Sequence, residues 1–157
     1  MRKNYFIFVI AFRDNHMAIK NILLIDDDTD DHLFFTDALK EIDTGIQCVI
    51  ENNARDALER LKKLSILPDI LFLDLNMPFL NGYEFLRHLK SEPHLREIPV
   101  IIFSTSTDRK DAELAHQLGA DFFLSKPNEF GELCIQLANI LNFDFRENSV
   151  SFPRNLT

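Results

Sequence analysis

Short apolar runs and amphipathic segments alternate along most of the chain. The runs at 22–25, 46–50, 70–73, 100–103 and 122–124 predict five strands, of which those at 22–25 and 70–73 are expected to be buried. Apolar residues between these runs recur at helical spacing, so a helix is expected after each strand. Strands that alternate with helices form right-handed β–α–β units. The pattern therefore predicts a doubly wound α/β fold, in which helices cover both faces of a five-stranded parallel sheet.

Three of the helices have a boundary or a buried face that can be read from the sequence. The fourth, predicted over about 108–118, is expected to end at Gly119, because glycine adopts the left-handed conformation that stops a helix. The second is expected to turn Leu64 inward, at the end of its apolar stripe. The last, predicted near 128–141, is expected to bury Phe130.

Both ends of the chain depart from this alternation. Residues 1–20 contain an apolar run at 6–12, which is too short for a membrane-spanning helix of about twenty residues. No cleavage motif of a signal peptide follows it, so we interpret 1–20 as an N-terminal extension, with Met17 as the alternative native start. Residues 143–157 are polar and aperiodic, which predicts a flexible C-terminal tail after a single domain over 21–142.

Composition narrows the class of function. The formal net charge is −8 and no basic face is evident, which argues against a nucleic-acid partner. Cys48 and Cys134 both lie in apolar segments, and we expect them to fill the core rather than form a disulfide or a redox pair. That use of cysteine fits a reducing cytoplasm, and no membrane association is expected.

Polar residues follow the predicted strands at their carboxyl ends, which form one edge of a parallel sheet, where such folds bind ligands. The residues at this edge are Asp26 and Asp27 after the first strand, Asp74 after the third, Ser104 and Thr105 after the fourth, and Lys126 with Pro127 after the fifth. Three carboxylates repel one another, and an oxygen-preferring divalent cation such as Mg²⁺ relieves that repulsion. Together with the lysine and the hydroxyls, they predict a phosphoryl-binding site with an aspartate nucleophile.

At these residues the chain resembles the receiver domains of two-component response regulators, the CheY-like group, in their stand-alone form. The resemblance covers about 21–141, nearly all of the chain between its two ends. It rests on Asp26-Asp27, on Asp74 with Met77-Pro78 and Gly82 downstream, on Ser104, and on Lys126-Pro127. It implies a flavodoxin-like (βα)5 fold with strand order 2-1-3-4-5.

The resemblance also implies roles for the acidic residues and the lysine. Asp74 is the expected phosphoacceptor, and it takes a phosphoryl group from a histidine of a sensor kinase or of a phosphotransfer protein. Asp26, Asp27, Asp74 and the backbone carbonyl of Asn76 are the expected Mg²⁺ ligands. Lys126 is expected to pair with Asp74 before phosphorylation and with the phosphoryl oxygens afterwards.

The remaining implied roles concern the hydroxyls, one aromatic residue and one proline. Ser104 and Thr105 are expected beside the phosphoryl group, and Ser104 and Phe123 are the expected switch residues. The family more often has threonine and tyrosine at those two switch positions; serine keeps the hydroxyl donor, whereas phenylalanine cannot donate a hydrogen bond. The peptide bond between Lys126 and Pro127 is expected to be cis.

Other charged residues near this edge have simpler interpretations. Asp28, Asp30 and Asp31 are expected to be only helix-start charges, which favour the positive end of the helix dipole. The five histidines show no metal-ligand spacing, and His32 is expected to face solvent.

Together these features predict a single-domain response regulator of a phosphorelay that signals through protein contacts with a downstream target, and a homodimer stays open. Residues 142–157 are too few for an output domain, and no enzymatic activity is expected beyond Mg²⁺-dependent self-phosphorylation and self-dephosphorylation at Asp74. Two alternatives stay open. One is a degenerate receiver that acts as a binding scaffold. The other is a phosphatase of the haloacid-dehalogenase type, whose D-x-D-x-[TV] motif fits Asp26 and Asp28 but not Asp30.

Overall fold

The computed structural model describes residues 19–145, in which five strands alternate with five helices. The strands are β1 (Asn21–Ile25), β2 (Gln47–Glu51), β3 (Ile70–Leu73), β4 (Val100–Ser104) and β5 (Phe122–Ser125). The helices are α1 (Thr29–Ile42), α2 (Ala54–Leu61), α3 (Gly82–Ser91), α4 (Arg109–Gln117) and α5 (Phe130–Leu141). The predicted alternation of strand and helix is confirmed.

All five strands are parallel and lie in the order β2-β1-β3-β4-β5, which confirms the predicted topology. The chain therefore winds outward from β1 in both directions. Three strands that are far apart in sequence, β1, β3 and β4, become neighbours at the centre of the sheet. Their carboxyl ends consequently meet at one edge, which is where the predicted site residues begin.

Alternating strand residues supply the two hydrophobic cores on either side of the sheet. Leu23 and Leu71 point to the face covered by α2, α3 and α4, whereas Ile22 and Phe72 point to the face covered by α1 and α5. On the second face, the rings of Phe35, Phe72 and Phe103 meet edge to face, with centroids 4.9 to 6.4 Å apart. Burial on both faces explains why the central strands are continuous apolar runs.

Helix ends are fixed by local hydrogen bonds that match the sequence. Asp28 caps α1, and Asn81 forms a capping box with Glu84 at the start of α3. Gly119 has a φ of +100°, so the predicted glycine stop after α4 is confirmed.

Two predicted inward positions are wrong. Leu64 is 37% exposed because α2 ends at Leu61, one turn earlier than its apolar stripe predicted. Phe130 is 38% exposed because it is the first residue of α5, where it packs edge to face against Phe34. Both residues lie at or beyond a helix end, where helical spacing no longer determines which way a side chain points.

The two cysteines agree with the compositional analysis. Cys48 and Cys134 are both free thiols, partly or fully buried, and burial raises the pKa of Cys48 to about 11. Their predicted role as core fillers is confirmed. Between residues 19 and 145, no helix has the length and hydrophobicity needed to cross a bilayer. The predictions for 1–18 and 146–157 lie outside the described residues.

Gly82 should tolerate no side chain, because the start of α3 packs directly on the loop after β3. A Cβ atom at this position would lie 2.5 Å from the Asp74 carbonyl oxygen and 2.7 Å from the Leu75 Cα atom. We expect Gly82→Ala to lower the free energy of unfolding by about 1–3 kcal/mol, measured by urea denaturation. Gly45→Ala is the control, since the nearest atom to a Cβ there would be a side-chain oxygen of Asp43, at 3.1 Å, rather than backbone. Equal urea midpoints for the two variants would contradict this packing.

Candidate functional site

An open cavity of about 570 Å³ lies at the carboxyl edge of the sheet. It is lined by Asp27, Asp28, Thr29, Asp30, Asp31, Asp74, Asn76, Thr105 and Lys126. These residues follow β1, β3, β4 and β5, and they include the first turn of α1. The sheet topology therefore brings together residues that are up to 100 positions apart in the sequence.

Three carboxylates meet at the base of this cavity. One carboxylate oxygen from each of Asp26, Asp27 and Asp74 lies within 4.8 Å of the other two. Asp26 is fully buried and is held by its surroundings, since its side chain accepts a hydrogen bond from the Asp28 amide at 2.9 Å. The predicted convergence of these three residues is thus present, and Asn76 lies on the same cavity wall.

Ionisation of the Asp74 carboxyl group is energetically unfavourable in the folded protein. The residue is only 5% exposed, and burial raises the pKa of Asp74. The Lys126 charge opposes that rise, whereas the negative charge of Asp26 adds to it. The backbone amides of Asn76 and Leu75 donate hydrogen bonds that stabilise the ionised form, but not enough to restore the ordinary pKa. A cation beside Asp74 would relieve this unfavourable charge.

Lys126 supplies a positive charge to the pocket. Its Nζ atom donates hydrogen bonds to Asp26 at 2.8 Å and to Asp31 at 2.7 Å, and it lies 3.8 Å from Asp74. The ammonium also lies 5.6 Å from the centre of the Phe103 ring, within range of a cation–π interaction. Burial lowers the pKa of Lys126, but the hydrogen bonds with the two aspartates outweigh burial, so the pKa is raised. The lysine therefore stays charged at neutral pH.

The peptide bond before Pro127 is not cis, so that prediction is wrong. Residues 19–145 contain no cis peptide bond, and Lys126 still reaches the pocket. A trans bond before proline is favoured by about 0.5–1 kcal/mol, and here the geometry of the site does not require the alternative.

Two residues of α1 contribute to the site although the sequence analysis gave them no role there. Asp31 was predicted to be only a helix-start charge, but it forms an ion pair with Lys126. His32 was predicted to face solvent, but it is 8% exposed, and its Nε2 atom lies 2.7 Å from the carbonyl oxygen of Asp26. Asp31 lies in the first turn of α1, three residues after the N-cap residue Asp28, and side chains on a helix tilt toward its N-terminus, which here faces the pocket. That position was the available signal for Asp31.

The predicted switch residues occupy buried positions. Ser104 is fully buried, and its Oγ atom accepts a hydrogen bond from the Ser106 amide at 3.3 Å. Thr105 is exposed and lines the cavity. Phe123 is buried in the core between the sheet and the layer of α2, α3 and α4, so its ring points inward.

A hydrogen-bonded network extends from Ser104 to two helices. The Ser106 hydroxyl donates to Asp111 at 2.5 Å, and the Tyr83 hydroxyl donates to the other oxygen of Asp111 at 2.8 Å. The pKa of Tyr83 is raised by burial and by Asp111, which keeps its hydroxyl protonated as the donor. The Ser125 hydroxyl donates to the Ser106 carbonyl at 3.0 Å. The loop after β4 is thereby tied to α3, α4 and β5, a connection the sequence analysis missed.

The donor set at the base of the cavity fits a hard divalent cation. Carboxylate oxygens are the ligands that Mg²⁺ and similar ions prefer, and a site with one open side leaves room for water or a substrate oxygen. One of the three carboxylates, Asp27, is exposed, whereas the other two are buried, so the site is open on one side. Asp26, Asp27 and Asp74 are therefore the residues that would hold the metal.

Comparison with known proteins identifies relatives along nearly the whole described chain. Residues 22–138 match the family described as the response regulator receiver domain. The response regulator Rcp1 of Synechocystis sp. is 28% identical over 129 residues, which cover 79% of this chain and 88% of Rcp1.

Solved structures of similar proteins share the fold. That of the phosphorylated cyanobacterial phytochrome response regulator RcpA aligns with a TM-score of 0.73 at 27% identity, covering 87% of this chain and 100% of RcpA. That of the Mn²⁺-bound form of Rcp1 aligns with a TM-score of 0.70 at 27% identity, covering 86% of this chain and 99% of the other.

Several curated relatives are much longer than the matched segment. Protein RcaC of Microchaete diplosiphon is 41% identical over 69 residues, which cover 44% of this chain and 11% of RcaC. The matched segment covers 25% to 54% of three further relatives, which are a probable cyclic di-GMP phosphodiesterase and two transcriptional regulators. In those proteins the shared domain is one part of a larger chain.

Asp74→Asn should stabilise the metal-free protein. Because the folded state raises the pKa of Asp74, its ionised form opposes folding at any pH above the ordinary carboxyl pKa, and the amide removes that cost. We expect the free energy of unfolding in the presence of a chelator to rise by about 0.5–2 kcal/mol, measured by urea denaturation. Asp37→Asn, at an exposed position on α1, is the control with little expected change. A destabilised Asp74→Asn protein would contradict the charge balance described here.

Proposed function

The chain belongs to the family of response regulator receiver domains, and on that premise we propose that Asp74 accepts a phosphoryl group from a phosphohistidine. One observation carries the proposal. The Asp74 carboxylate lies in an open cavity, with an ammonium 3.8 Å away and two more carboxylates close enough to share a cation. This arrangement combines a nucleophile, a counter-charge and a metal site in one place.

The transfer step uses groups that the chain itself provides. An Asp74 carboxylate oxygen attacks the phosphorus atom, a phosphorus–oxygen bond forms, and the phosphorus–nitrogen bond to the donor histidine breaks. The electron pair of that bond stays on the imidazole, which takes a proton from water. Lys126 lies close enough to pair with the phosphoryl oxygens, and the Thr105 hydroxyl lines the same cavity. Attack of water on the acyl phosphate then releases inorganic phosphate and returns the carboxylate.

We infer that the cation is Mg²⁺, held by Asp26, Asp27, Asp74 and the backbone carbonyl of Asn76. When bound, it supplies positive charge that offsets both the carboxylates and the incoming phosphoryl group. The set of oxygen ligands supports this choice. The related Rcp1 has a solved form with bound Mn²⁺, an ion that also prefers oxygen ligands.

A conformational response would begin at Ser104. Reorientation of its hydroxyl toward the phosphoryl group removes the acceptor of the Ser106 amide, and the loop after β4 then loses one of its anchors. Because Ser106 connects to Asp111 and Tyr83, the change reaches the starts of α4 and α3. Phe123 has no polar group that could join this network. We propose that a downstream protein recognises the altered surface.

The partners follow from this chemistry. The phosphodonor is a sensor histidine kinase or a histidine phosphotransfer protein, and the expected location is the cytoplasm. The domain is proposed to have no enzymatic activity beyond its own phosphorylation and dephosphorylation.

Membership of the receiver family favours neither of the two alternative functions, a phosphatase or a binding scaffold. A phosphatase of the haloacid-dehalogenase type belongs to another family, and a purely structural scaffold has no need for the complete set of acidic, hydroxyl and lysine residues.

Incubation with acetyl phosphate and Mg²⁺ should add one phosphoryl group, and the addition should depend on Asp74. Intact-protein mass spectrometry is the measurement. We expect the mass gain in the natural protein and in Asp37→Ala, which removes an exposed carboxylate from α1, but not in Asp74→Ala. An equal mass gain in the Asp74→Ala protein would overturn the assignment, and so would no gain in the natural protein.

Mg²⁺ affinity should fall as the pH falls. A proton competes with the cation for Asp74, and the raised pKa of Asp74 moves this competition closer to neutral pH than for an ordinary aspartate. Below that pKa, the apparent dissociation constant should rise by up to about tenfold per pH unit, as for one competing proton. Isothermal titration calorimetry at several pH values measures it. A dissociation constant that does not change down to the acid limit of stability would contradict the role of Asp74 as a ligand.

A further inference from the structure

The ammonium of Lys126 lies within ion-pair distance of Asp74, but it donates its hydrogen bonds to two other carboxylates. It has three N–H donors, and hydrogen bonds to Asp26 and Asp31 take two of them. At 3.8 Å, Asp74 is beyond the usual range for a hydrogen bond to the ammonium. Packing over the Phe103 ring holds the group further in place. Lys126 therefore lies beside Asp74 without donating a hydrogen bond to it.

Asp31 is the partner that distinguishes this arrangement. The oxygens that can share a cation come from Asp26, Asp27 and Asp74, and Asp31 is not one of that set within the described residues. Its carboxylate nevertheless lies 2.7 Å from Lys126 Nζ, and its side chain is 32% exposed. Removing Asp31 would therefore change the position of the lysine without removing a ligand of the cation.

We propose that Asp31 is a positioning residue that holds the Lys126 ammonium aside, which leaves the Asp74 carboxylate free to bind the divalent cation. This inference rests on the proposed function, because it assumes that Asp74 is a metal ligand. Without Asp31, the lysine moves the short distance to Asp74. The ammonium and the cation then compete for the same oxygens, so the cation binds more weakly.

A helix-start charge gives a simpler account of Asp31, and a matched variant separates the two. Asp30 lies in the same first turn of α1 and lines the same cavity. Among residues 19–145, the carboxylates within 4 Å of the Lys126 Nζ atom are those of Asp26, Asp31 and Asp74, and Asp30 is not among them. Asp30→Asn therefore changes the helix charge and the net charge of the cavity as Asp31→Asn does, but leaves the lysine in place.

The test is a double-mutant cycle read out by Mg²⁺ binding. Isothermal titration calorimetry measures the Mg²⁺ dissociation constant of the natural protein, Asp31→Asn and Asp30→Asn. The same two substitutions are then measured in a Lys126→Met background, which lacks the competing charge. Thermal denaturation confirms that each protein is folded. If Asp31→Asn is not folded, Asp31→Ser takes its place, because serine also removes the charge.

We expect Asp31→Asn to weaken Mg²⁺ binding about fivefold more than Asp30→Asn does, which is the size of one partly exposed ion pair. In the Lys126→Met background the two substitutions should have equal effects. Equal effects in the natural background would overturn the proposal, as would the same excess loss in the Lys126→Met background.

The outcome is independent of phosphorylation. Loss of the proposed function would be seen as no Asp74-dependent mass gain with acetyl phosphate. Failure of the Asp31 proposal would be seen as no energetic coupling between Asp31 and Lys126 in Mg²⁺ binding, whether or not the protein is phosphorylated.

Discussion

The ion pairs of Lys126 are the interactions on which the site depends. Asp26 and Asp74 are buried carboxylates, and Asp27 and Asp31 bring two more negative charges to the same cavity. A buried charge is tolerated only when it is paired, and this one ammonium lies within 4 Å of three of the four. The metal-free pocket therefore keeps a net negative charge, which favours binding of a cation and, through the cation, binding of a phosphoryl group.

The fold places these charges together, and most of that placement could be predicted from sequence. The central strands are unbroken apolar runs, so their number, order of occurrence and burial were readable. Parallel strands have all their carboxyl ends at one edge of the sheet. The sequence alone therefore predicted that four side chains lie close together there, those of Asp26, Asp27, Asp74 and Lys126. The order of the strands in the sheet was not derivable in this way and came only from the family resemblance.

The features that escaped prediction depend on side-chain direction or local geometry. Asp31 and His32 lie in the first turn of a helix, where a polar residue suits solvent, a cap or the pocket equally well. Leu64 and Phe130 lie at helix ends, where a shift of one turn exposes a residue. The isomer of the bond before Pro127 reflects a difference of about 1 kcal/mol, which a sequence pattern does not resolve. The hydrogen bonds from Ser106 to Asp111 and from Tyr83 to Asp111 join separate helices and loops, so no local sequence pattern predicts them.

The position of Lys126 in the activated protein tests the central claim most directly. A crystal structure of the protein with Mg²⁺ and beryllofluoride, which mimics a phosphoryl group on aspartate, would show it. The account predicts a cation bound by Asp26, Asp27 and Asp74, with the Lys126 ammonium moved from Asp31 to a fluorine atom of the beryllofluoride that Asp74 binds. A lysine that stays on Asp31 while the mimic occupies Asp74, or a cation bound elsewhere, would contradict it.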